Sequence, residues 1–433
     1  MIGALLALLL ACEPEKTAPV NADPGPDPSP ETGLPDPGEG DSVAPDDPED
    51  SGGQSASPRV DDAWLNPTPA PIFDDTVLHT VALTLGEEAR AALRDEPYVW
   101  VRGDVALDGE AVSAVGVRLR GKIGSFRTLD QKPKFKIDLN RYNPDQEFQG
   151  LEAISLNNEV VDCSYVKEPA GYAVYHAMGL AAPHTSFATV TVDGEDYGLY
   201  VLVEVPDDRF LKANFDKAKG NLYDGKYLYY GGYDYEMVDF TPSLDGNFTL
   251  EEGEDVGLAD IQAITAALRS DEGDFEARLD PLVDLDQLHR LLAVEQWIGH
   301  VDGYALDQNN YRVYMNPYDD RAEIIPWDLD YAFTSPRSWG MSWSEPRGAL
   351  ARGCWADEAC FAAQAETARA AVERIDTDAL LARFDAWTAL IASAAAADPR
   401  RECGAARVAP SQEDVRAWLE SRPESVPAWW EGR

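Results

Sequence analysis

The segment Asp302-Gly-Tyr-Ala-Leu-Asp-Gln-Asn-Asn-Tyr311 leads into two stretches with the composition of a β-hairpin. Tyr311-Arg-Val-Tyr-Met315 and Arg321-Ala-Glu-Ile-Ile325 are rich in β-branched and aromatic residues, which favour strands, and the turn-forming segment Asn316-Pro-Tyr-Asp-Asp320 separates them. A hairpin folds the chain back on itself. The pattern therefore predicts that the Asp302 segment meets the residues that follow the second strand.

The register of this hairpin sets which residues meet at its open end. With the turn centred near Tyr318, Asn309 and Asn310 lie opposite Trp327 and Asp328. An amide and two carboxylates are then expected to converge. The sequence thus predicts a polar site at the open end of the hairpin.

A pair of carboxylates follows the second strand, in Pro326-Trp-Asp-Leu-Asp330. In an extended segment Asp328 and Asp330 point to the same face, where they repel each other unless a cation lies between them. Mg²⁺ or Mn²⁺ prefers such hard oxygen ligands. A lone Asp-x-Asp pattern is more often a solvated turn or a surface cation site. Its link through the hairpin to Asp302 favours a metal-dependent phosphoryl-transfer centre.

The composition argues against nucleic-acid binding. The chain has 433 residues, a formal net charge of −42 and a pI near 4.3, whereas binding to nucleic acid requires a basic surface that displaces counterions from phosphates. Acidity of this degree favours a soluble, exported protein.

The N-terminal residues predict export. Residues 1–12 are an apolar run that is too short to span a bilayer, and they end in Leu-Leu-Ala-Cys12. This resembles a bacterial lipoprotein signal, which implies cleavage before Cys12 and lipid attachment to its sulfur. No Lys or Arg precedes the run, and an ordinary secretory signal is the alternative. Residues 13–57 are rich in Pro, Asp and Glu and are expected to form a disordered tether.

Four cysteines remain once Cys12 is set aside: Cys163, Cys354, Cys360 and Cys403. An even number in an exported chain permits two disulfides with three possible pairings, and the short separation between Cys354 and Cys360 favours a local bridge. A zinc site is less favoured, because the sequence has no Cys-x-x-Cys pair and its histidines show no ligand spacing.

Hydrophobic patterning divides the globular part into a strand-rich and a helix-rich portion. Residues 76–205 contain several alternating segments, so an antiparallel sheet with a short helix is expected. Residues 206–433 are predicted to be largely helical. Within them, Asp284 is a good N-cap, and residues 361–397 carry Leu and Ile at helical spacing. No segment after the tether is expected to cross a membrane.

Three groups of segments occur in order along the chain: Val117-Arg-Leu-Arg-Gly121 with Lys132-Pro-Lys-Phe-Lys-Ile-Asp-Leu139; Met178-Gly-Leu-Ala-Ala-Pro183 with Val192-Asp-Gly-Glu-Asp-Tyr-Gly-Leu-Tyr-Val-Leu-Val-Glu204; and Asp302-Gly-Tyr304, Asn310-Tyr311 and Ile325-Pro-Trp-Asp-Leu-Asp330. Together they resemble the CotH family of atypical, secreted protein kinases. The resemblance implies an α+β, protein-kinase-like, two-lobed fold over residues 58–433. Its N-terminal lobe (76–205) would be an antiparallel sheet, and its C-terminal lobe (206–433) would be largely helical.

The resemblance also implies roles for the residues around the hairpin. Asp302 would orient or deprotonate the acceptor hydroxyl, and Asn310, Asp328 and Asp330 would hold the metal. Eight residues separate Asp302 from Asn310, which is three more than the five of the general kinase catalytic loop. Either the loop bulges, or Asp307 and Asn309 share the role.

A nucleotide site is implied on the strand-rich side. Lys136, which points opposite to its apolar neighbours on a strand, would neutralise nucleotide phosphates, and Arg120 and Lys132 would assist it. Glu204 would pair with a lysine or lie near the adenine. Arg120 and Lys132 are alternatively solvated charges, and Glu204 is alternatively a sheet-end carboxylate in solvent. The segment Gly121-Lys-Ile-Gly-Ser125 offers two glycines to approach phosphates, which is a weak glycine loop.

These observations predict an exported, lipid-anchored kinase of the bacterial cell envelope. It would use ATP with Mg²⁺ or Mn²⁺ to phosphorylate an exported protein, and it would contact the membrane only through the lipid on Cys12. The alternative is a non-catalytic surface adhesin or envelope scaffold that has kept the fold. A hydrolase that uses the metal site ranks last, because no nucleophile or His base accompanies the acidic residues.

Overall fold

The computed structural model of the chain describes residues 68–433. The expected signal sequence (1–12), with its lipid attachment residue Cys12, and the expected tether (13–57) lie outside the described residues. Residues 68–229 and 235–433 belong to one unit.

The N-terminal part contains seven strands that close into a barrel. They are β1 (Leu78–Thr84), β2 (Val101–Leu107), β3 (Glu110–Arg120), β4 (Lys134–Asp138), β5 (Ala153–Asn157), β6 (Thr185–Val192) and β7 (Glu195–Glu204). Their order around the barrel is β1-β2-β3-β4-β5-β7-β6, and all neighbours are antiparallel except β1 and β6. The expected antiparallel sheet is therefore corrected to a barrel with one parallel pair. Closure leaves no unpaired strand edge.

Apolar side chains at alternate positions of the strands fill the interior of the barrel. In β4, Phe135 and Ile137 lie in the fully buried barrel core. Lys134 and Lys136 alternate with them and therefore lie on the outer face. The pattern expected for the β4 segment is confirmed, and both lysines face the C-terminal part of the chain.

The C-terminal part is largely helical, as expected, and the predicted hairpin belongs to a sheet within it. It contains a second sheet of β8 (Leu222–Asp224), β11 (Thr249–Glu252), β12 (Tyr311–Asn316) and β13 (Arg321–Pro326), in the order β11-β8-β12-β13. A further two-stranded sheet pairs β9 (Leu228–Gly231) with β10 (Asp234–Glu236). In the β12–β13 hairpin, Tyr311 pairs with Pro326 and Asn316 with Arg321. This register continues to Asn310 opposite Trp327, as the sequence predicted.

Eleven helices are present in the described residues. They are α1 (Gly86–Asp95), α2 (Lys167–Ala177), α3 (Asp208–Asn214), α4 (Ala259–Arg269), α5 (Phe275–Leu279), α6 (Leu285–Ile298), α7 (Tyr304–Asp307), α8 (Ala349–Ala356), α9 (Glu358–Arg374), α10 (Thr377–Ala397) and α11 (Ala405–Glu431). Helix α6 is the centre of the second hydrophobic core and packs against α2, α9, α11 and β13. Asp284 caps it as predicted, accepting from the backbone N of Gln287.

The four cysteines of the described residues form two disulfides, Cys354–Cys360 and Cys163–Cys403. The first confirms the expected local bridge. The second joins the segment before α2 to the segment before α11. Helix α10 is long and apolar enough to cross a membrane by length and composition alone, contrary to expectation. Its buried face packs against β7, α2 and α11.

Candidate active site

The loop that carries Asp302 is fixed by the end of α6. Gly299 ends this helix in the left-handed conformation, with φ 62°. The carboxylate of Glu295 then accepts hydrogen bonds from the backbone N of Tyr304 (2.9 Å) and of Ala305 (2.8 Å), the first residues of α7. A buried carboxylate thus caps the short helix that follows Asp302. Burial raises the pKa of Glu295 to about 8.

Asp302 is held by both amides that the hairpin register brings to it. Nδ2 of Asn309 donates to Oδ1 of Asp302 (3.1 Å), and Nδ2 of Asn310 donates to Oδ2 (2.9 Å). Burial, together with the nearby charges of Asp307 and Asp330, raises the pKa of Asp302 well above its ordinary value. This carboxylate is oriented and basic for its residue type, which suits a proton acceptor.

Asp328 and Asp330 follow the hairpin but do not lie in an extended strand. Both contact the same lysine. β13 ends at Pro326, and Asp328 has the left-handed φ of 47°, so the expected extended alternation is wrong here. Nζ of Lys134 nevertheless contacts both, at 2.9 Å from Oδ1 of Asp328 and 2.8 Å from Oδ2 of Asp330. The cation between the carboxylates is therefore a lysine ammonium, almost fully buried at 1% side-chain exposure.

Lys134, Asp328 and Asp330 form a triad in which the two carboxylates have different pKa values. Burial raises the pKa of Asp330 to about 6, with repulsion from Asp328 adding to it and Lys134 opposing it. For Asp328, burial also raises the pKa, but Lys134 and Arg120 outweigh it and hold the pKa below its ordinary value. Asp328 is thus the stably ionised member of the pair.

Arg120 reaches the same carboxylate from β3. It donates to Oδ2 of Asp328 (3.2 Å) and to Oδ1 of Asn157 (3.0 Å). Its guanidinium also lies 4.9 Å from the ring centroid of Trp327, and Arg312 lies at the same distance. The barrel and the hairpin therefore meet at Trp327 and Asp328, where Arg120 of β3 contacts both residues and Arg312 of β12 contacts the tryptophan ring.

Helix α2 contributes a further buried carboxylate, Glu168. It accepts from Nδ2 of Asn157 (2.6 Å) and from the backbone N of Leu329 (3.3 Å), between the two acids of the triad. Burial and the neighbouring Asp328 raise the pKa of Glu168 to about 7. The helix is thus coupled to the backbone that positions the acidic pair.

The weak glycine loop approaches Tyr331, the residue that follows Asp330. Gly124 has a φ of 86°, and a Cβ placed on it would lie 2.5 Å from the hydroxyl of Tyr331. Burial, with Asp330 and Asp302 adding to it, raises the pKa of Tyr331 to about 12. Both the backbone conformation and the close approach require glycine at this position.

Three residues expected at the nucleotide site make other contacts. Lys132 is buried against Asp398, at 2.6 Å, and Glu204 pairs with Nδ1 of His184, at 2.7 Å. Lys136 makes no hydrogen bond to the acidic pair. Its pKa is lowered to about 8 by burial, with Glu251 opposing that shift. Of the three basic residues predicted to bind nucleotide phosphates, Arg120 is the one that contacts the acidic pair in the structure.

The donor set can be compared with what a divalent metal requires. Asp328, Asp330 and Asn310 offer the hard oxygen ligands that Mg²⁺ or Mn²⁺ prefers. Among the described residues, Oδ1 of Asn309 accepts from the backbone N of Tyr227 (3.4 Å), whereas Oδ1 of Asn310 accepts no hydrogen bond in the structure. These residues fit a metal bound beside Lys134, with Asn310 as the amide ligand.

Lys134 and Glu168 were not predicted from the sequence. Lys134 lies two residues before Lys136 and shares its face of β4, so strand alternation could have identified both lysines. Glu168 lies in the first turn of α2, where a carboxylate is common. Its burial depends on how α2 packs against the hairpin, which the local sequence does not reveal.

Fold and site together define a mixed α+β protein with a buried, charged site between a seven-stranded barrel and a C-terminal part of helices and a second sheet. A family model described as CotH kinase protein matches residues 117–426. The chain belongs to this family, and the match contains every residue of the site described above.

Two curated relatives are similar to the chain. The inner spore coat protein H of Bacillus subtilis (strain 168) is 26% identical over 205 residues, which cover 46% of this chain and 54% of that protein. Invasin CotH3 of Rhizopus delemar is 24% identical over 200 residues, which cover 43% of this chain and 31% of that protein. The match thus spans about half of the first relative and about a third of the second.

A solved structure is also similar in part. It is a chain of the Shewanella oneidensis MR-1 toxin–antitoxin complex of HipA, HipB and operator DNA, with 14% identity over 71% of this chain and 68% of that chain. The TM-score is 0.31, which is too low to carry an argument about fold.

Proposed function

We propose that the chain is an exported, ATP- and divalent-metal-dependent protein kinase with an atypical kinase-like fold, which transfers the γ-phosphate to a hydroxyl side chain of another exported protein. The observation that carries the proposal is the joint geometry at the open end of the hairpin. A buried lysine holds one acid ionised, and two amides orient Asp302 beside it. Membership of the CotH kinase protein family supports this reading.

The residues divide the reaction between charge neutralisation and proton transfer. Mg²⁺ or Mn²⁺, held by Asp328, Asp330 and Asn310, would neutralise charge on the phosphates. Lys134 and Arg120 keep Asp328 ionised, and they present positive charge from the barrel side. Asp302 would accept the proton of the acceptor hydroxyl as the new oxygen–phosphorus bond forms, and ADP would leave.

An envelope location is consistent with the composition and the relatives. The net charge of −42 suits an exported protein, and the relatives are named for a spore coat and for invasion. We infer that residues 1–12 direct export, that a lipid on Cys12 anchors the chain, and that the nucleotide and an exported protein are its partners.

The proposal predicts different defects for the two central aspartates. Asp302→Asn should retain Mn²⁺·ATP binding and lose transfer by about 10²- to 10⁴-fold, the usual contribution of a general base. Asp328→Asn should weaken nucleotide binding itself, because it removes a metal ligand. The matched control is Asp319→Asn, which lies at the turn end of the same hairpin and should retain both activities.

Calorimetric binding of Mn²⁺·ATP and transfer of label from γ-labelled ATP to a generic protein acceptor would measure these defects. Equal activity in wild type and in both aspartate variants would contradict the assignment. Loss of binding in Asp302→Asn would show that Asp302 is a ligand rather than a base.

One observation favours a non-catalytic scaffold as the second candidate. Lys134 already occupies the space between the two carboxylates, so the folded protein satisfies their charges without a metal. A scaffold would show no rise in melting temperature with millimolar ATP and Mn²⁺, whereas a ligand that binds only the native state must raise it.

A further inference from the structure

A histidine and a disulfide form a compact group away from the proposed active site. His289 lies on α6, and Cys354 and Cys360 lie at the junction of α8 and α9. Nε2 of His289 is 3.3 Å from Sγ of Cys360 and 3.7 Å from Sγ of Cys354. In the part of the chain that the structure describes, this is the one group of three or more His, Cys, Asp or Glu ligand atoms within 4.8 Å of one another.

These distances match the spacing of ligands around a metal ion. Metal–nitrogen and metal–sulfur bonds of about 2.0 and 2.3 Å place the two ligand atoms roughly 3.5 Å apart around one ion. Both nitrogen–sulfur distances in the structure are already close to that value. The sulfurs alone are held too near each other, because they share a covalent bond.

The surroundings favour a soft cation with few ligands. All three side chains are buried, and the backbone O of His289 is held by Nε2 of Gln364 at 3.2 Å. Nε2 of His289 faces both sulfurs, and a neutral imidazole nitrogen is a common metal ligand. Thiolate and imidazole ligands select Cu⁺ and Zn²⁺, whereas Mg²⁺ and Mn²⁺ prefer oxygen ligands.

We propose that His289, Cys354 and Cys360 form a binding site for a thiophilic cation, Cu⁺ or Zn²⁺, when the disulfide is reduced. A dithiol reductant supplies two electrons and two protons, so the sulfur–sulfur bond breaks, two thiols form and the reductant becomes a disulfide. Cation binding then displaces the thiol protons. The oxidised and the metal-bound forms are mutually exclusive.

The chain contains its own control, because Cys163 and Cys403 form a disulfide that belongs to no such group in the described residues. The full-length chain is reduced with a phosphine under anaerobic conditions, incubated with Cu⁺ or with Zn²⁺, and desalted for metal analysis. Wild type should retain one more equivalent than Cys354→Ser/Cys360→Ser. Cys163→Ser/Cys403→Ser should retain the same site as wild type.

His289→Gln tests the third ligand and keeps both cysteines. It should lower the affinity at least tenfold in competition with a chromophoric chelator, as expected when one of three ligands is lost. With Co²⁺ as the probe, charge-transfer absorbance from two thiolates should appear in wild type. The oxidised chain should bind no cation at this position.

Four outcomes would overturn the proposal. They are equal metal content in wild type and Cys354→Ser/Cys360→Ser, loss of the equivalent in Cys163→Ser/Cys403→Ser alone, unchanged affinity in His289→Gln, and retention by the oxidised chain. Circular dichroism of each variant identifies one that fails to fold, and in that case the Co²⁺ spectrum of the reduced wild type decides. Absence of thiolate absorbance there rejects the site.

Discussion

Replacing Lys134 by Met should destabilise the protein strongly, because two buried carboxylates would lose their shared cation. At about 2.9 Å, each contact corresponds to roughly 6 kcal/mol of Coulomb attraction at an effective dielectric constant of about 20. Desolvation of the ammonium offsets much of this. Removal of one partner from a buried ion pair costs about 3–5 kcal/mol, and we expect a loss of that size for Lys134→Met at pH 7.5.

The loss should depend on pH in a defined direction. Lys134 and Arg120 hold the pKa of Asp328 below its ordinary value, so ionised Asp328 stabilises the wild type above pH 4. Without the lysine, burial raises this pKa in the folded variant, which then binds more protons than its unfolded form. Stability of Lys134→Met should therefore fall as pH rises from 4 to 7, and the deficit relative to wild type should grow.

Urea unfolding followed by tryptophan fluorescence at pH 5.0 and 7.5 measures both effects. The matched control is Lys212→Met, because Lys212 forms an exposed pair with Asp208 on α3, and its stability should be unchanged at both values. Lys134→Met/Asp330→Asn should recover part of the loss, since it removes one of the stranded charges. A Lys134→Met deficit under about 1 kcal/mol, or one independent of pH, would refute the electrostatic reasoning.

Two further predictions concern the loops around the site. Gly124→Ala should weaken Mn²⁺·ATP binding at least tenfold, because its Cβ would meet the Tyr331 hydroxyl. The control is Gly109→Ala, which should bind normally, because Gly109 also has a positive φ but a Cβ there would lie in open space. Unaltered calorimetric affinity in Gly124→Ala would contradict this. The pKa of Glu295 is about 8 in the folded protein and 4.5 in the unfolded chain, so the folded protein binds more protons between these values. Wild type should therefore lose up to about 4 kcal/mol of stability as the pH rises from 4.5 to 8. Glu295→Gln should lack this dependence in urea unfolding, and parallel pH profiles would disprove the assignment.

The hairpin and its register could be predicted from local sequence, because strand composition and turn residues are short-range signals. Tyr311 and Pro326 pair as expected. The same holds for α6, whose start at Asp284 and end at Gly299 depend on capping chemistry within a few residues. The local disulfide Cys354–Cys360 follows from sequence separation.

Features that depend on long-range packing were not predictable in the same way. The parallel pairing of β1 with β6 closes the barrel across about a hundred residues. Helix α11 contains Pro410, Pro423 and Pro427, which argue against a helix in local terms. Lys134 and Lys136 lie on the same face of β4. Which of them contacts the acidic pair therefore depends on how β4 packs against the hairpin.

Transfer of label from ATP tests the proposed activity most directly. The full-length chain is incubated with Mn²⁺ and a mixed protein acceptor, using ATP labelled in parallel on the γ- or the α-phosphate. We expect protein-bound label from γ-labelled ATP, none from α-labelled ATP, and loss of the signal in Asp302→Asn. Absence of label, label from the α-phosphate, or full activity in Asp302→Asn would contradict it.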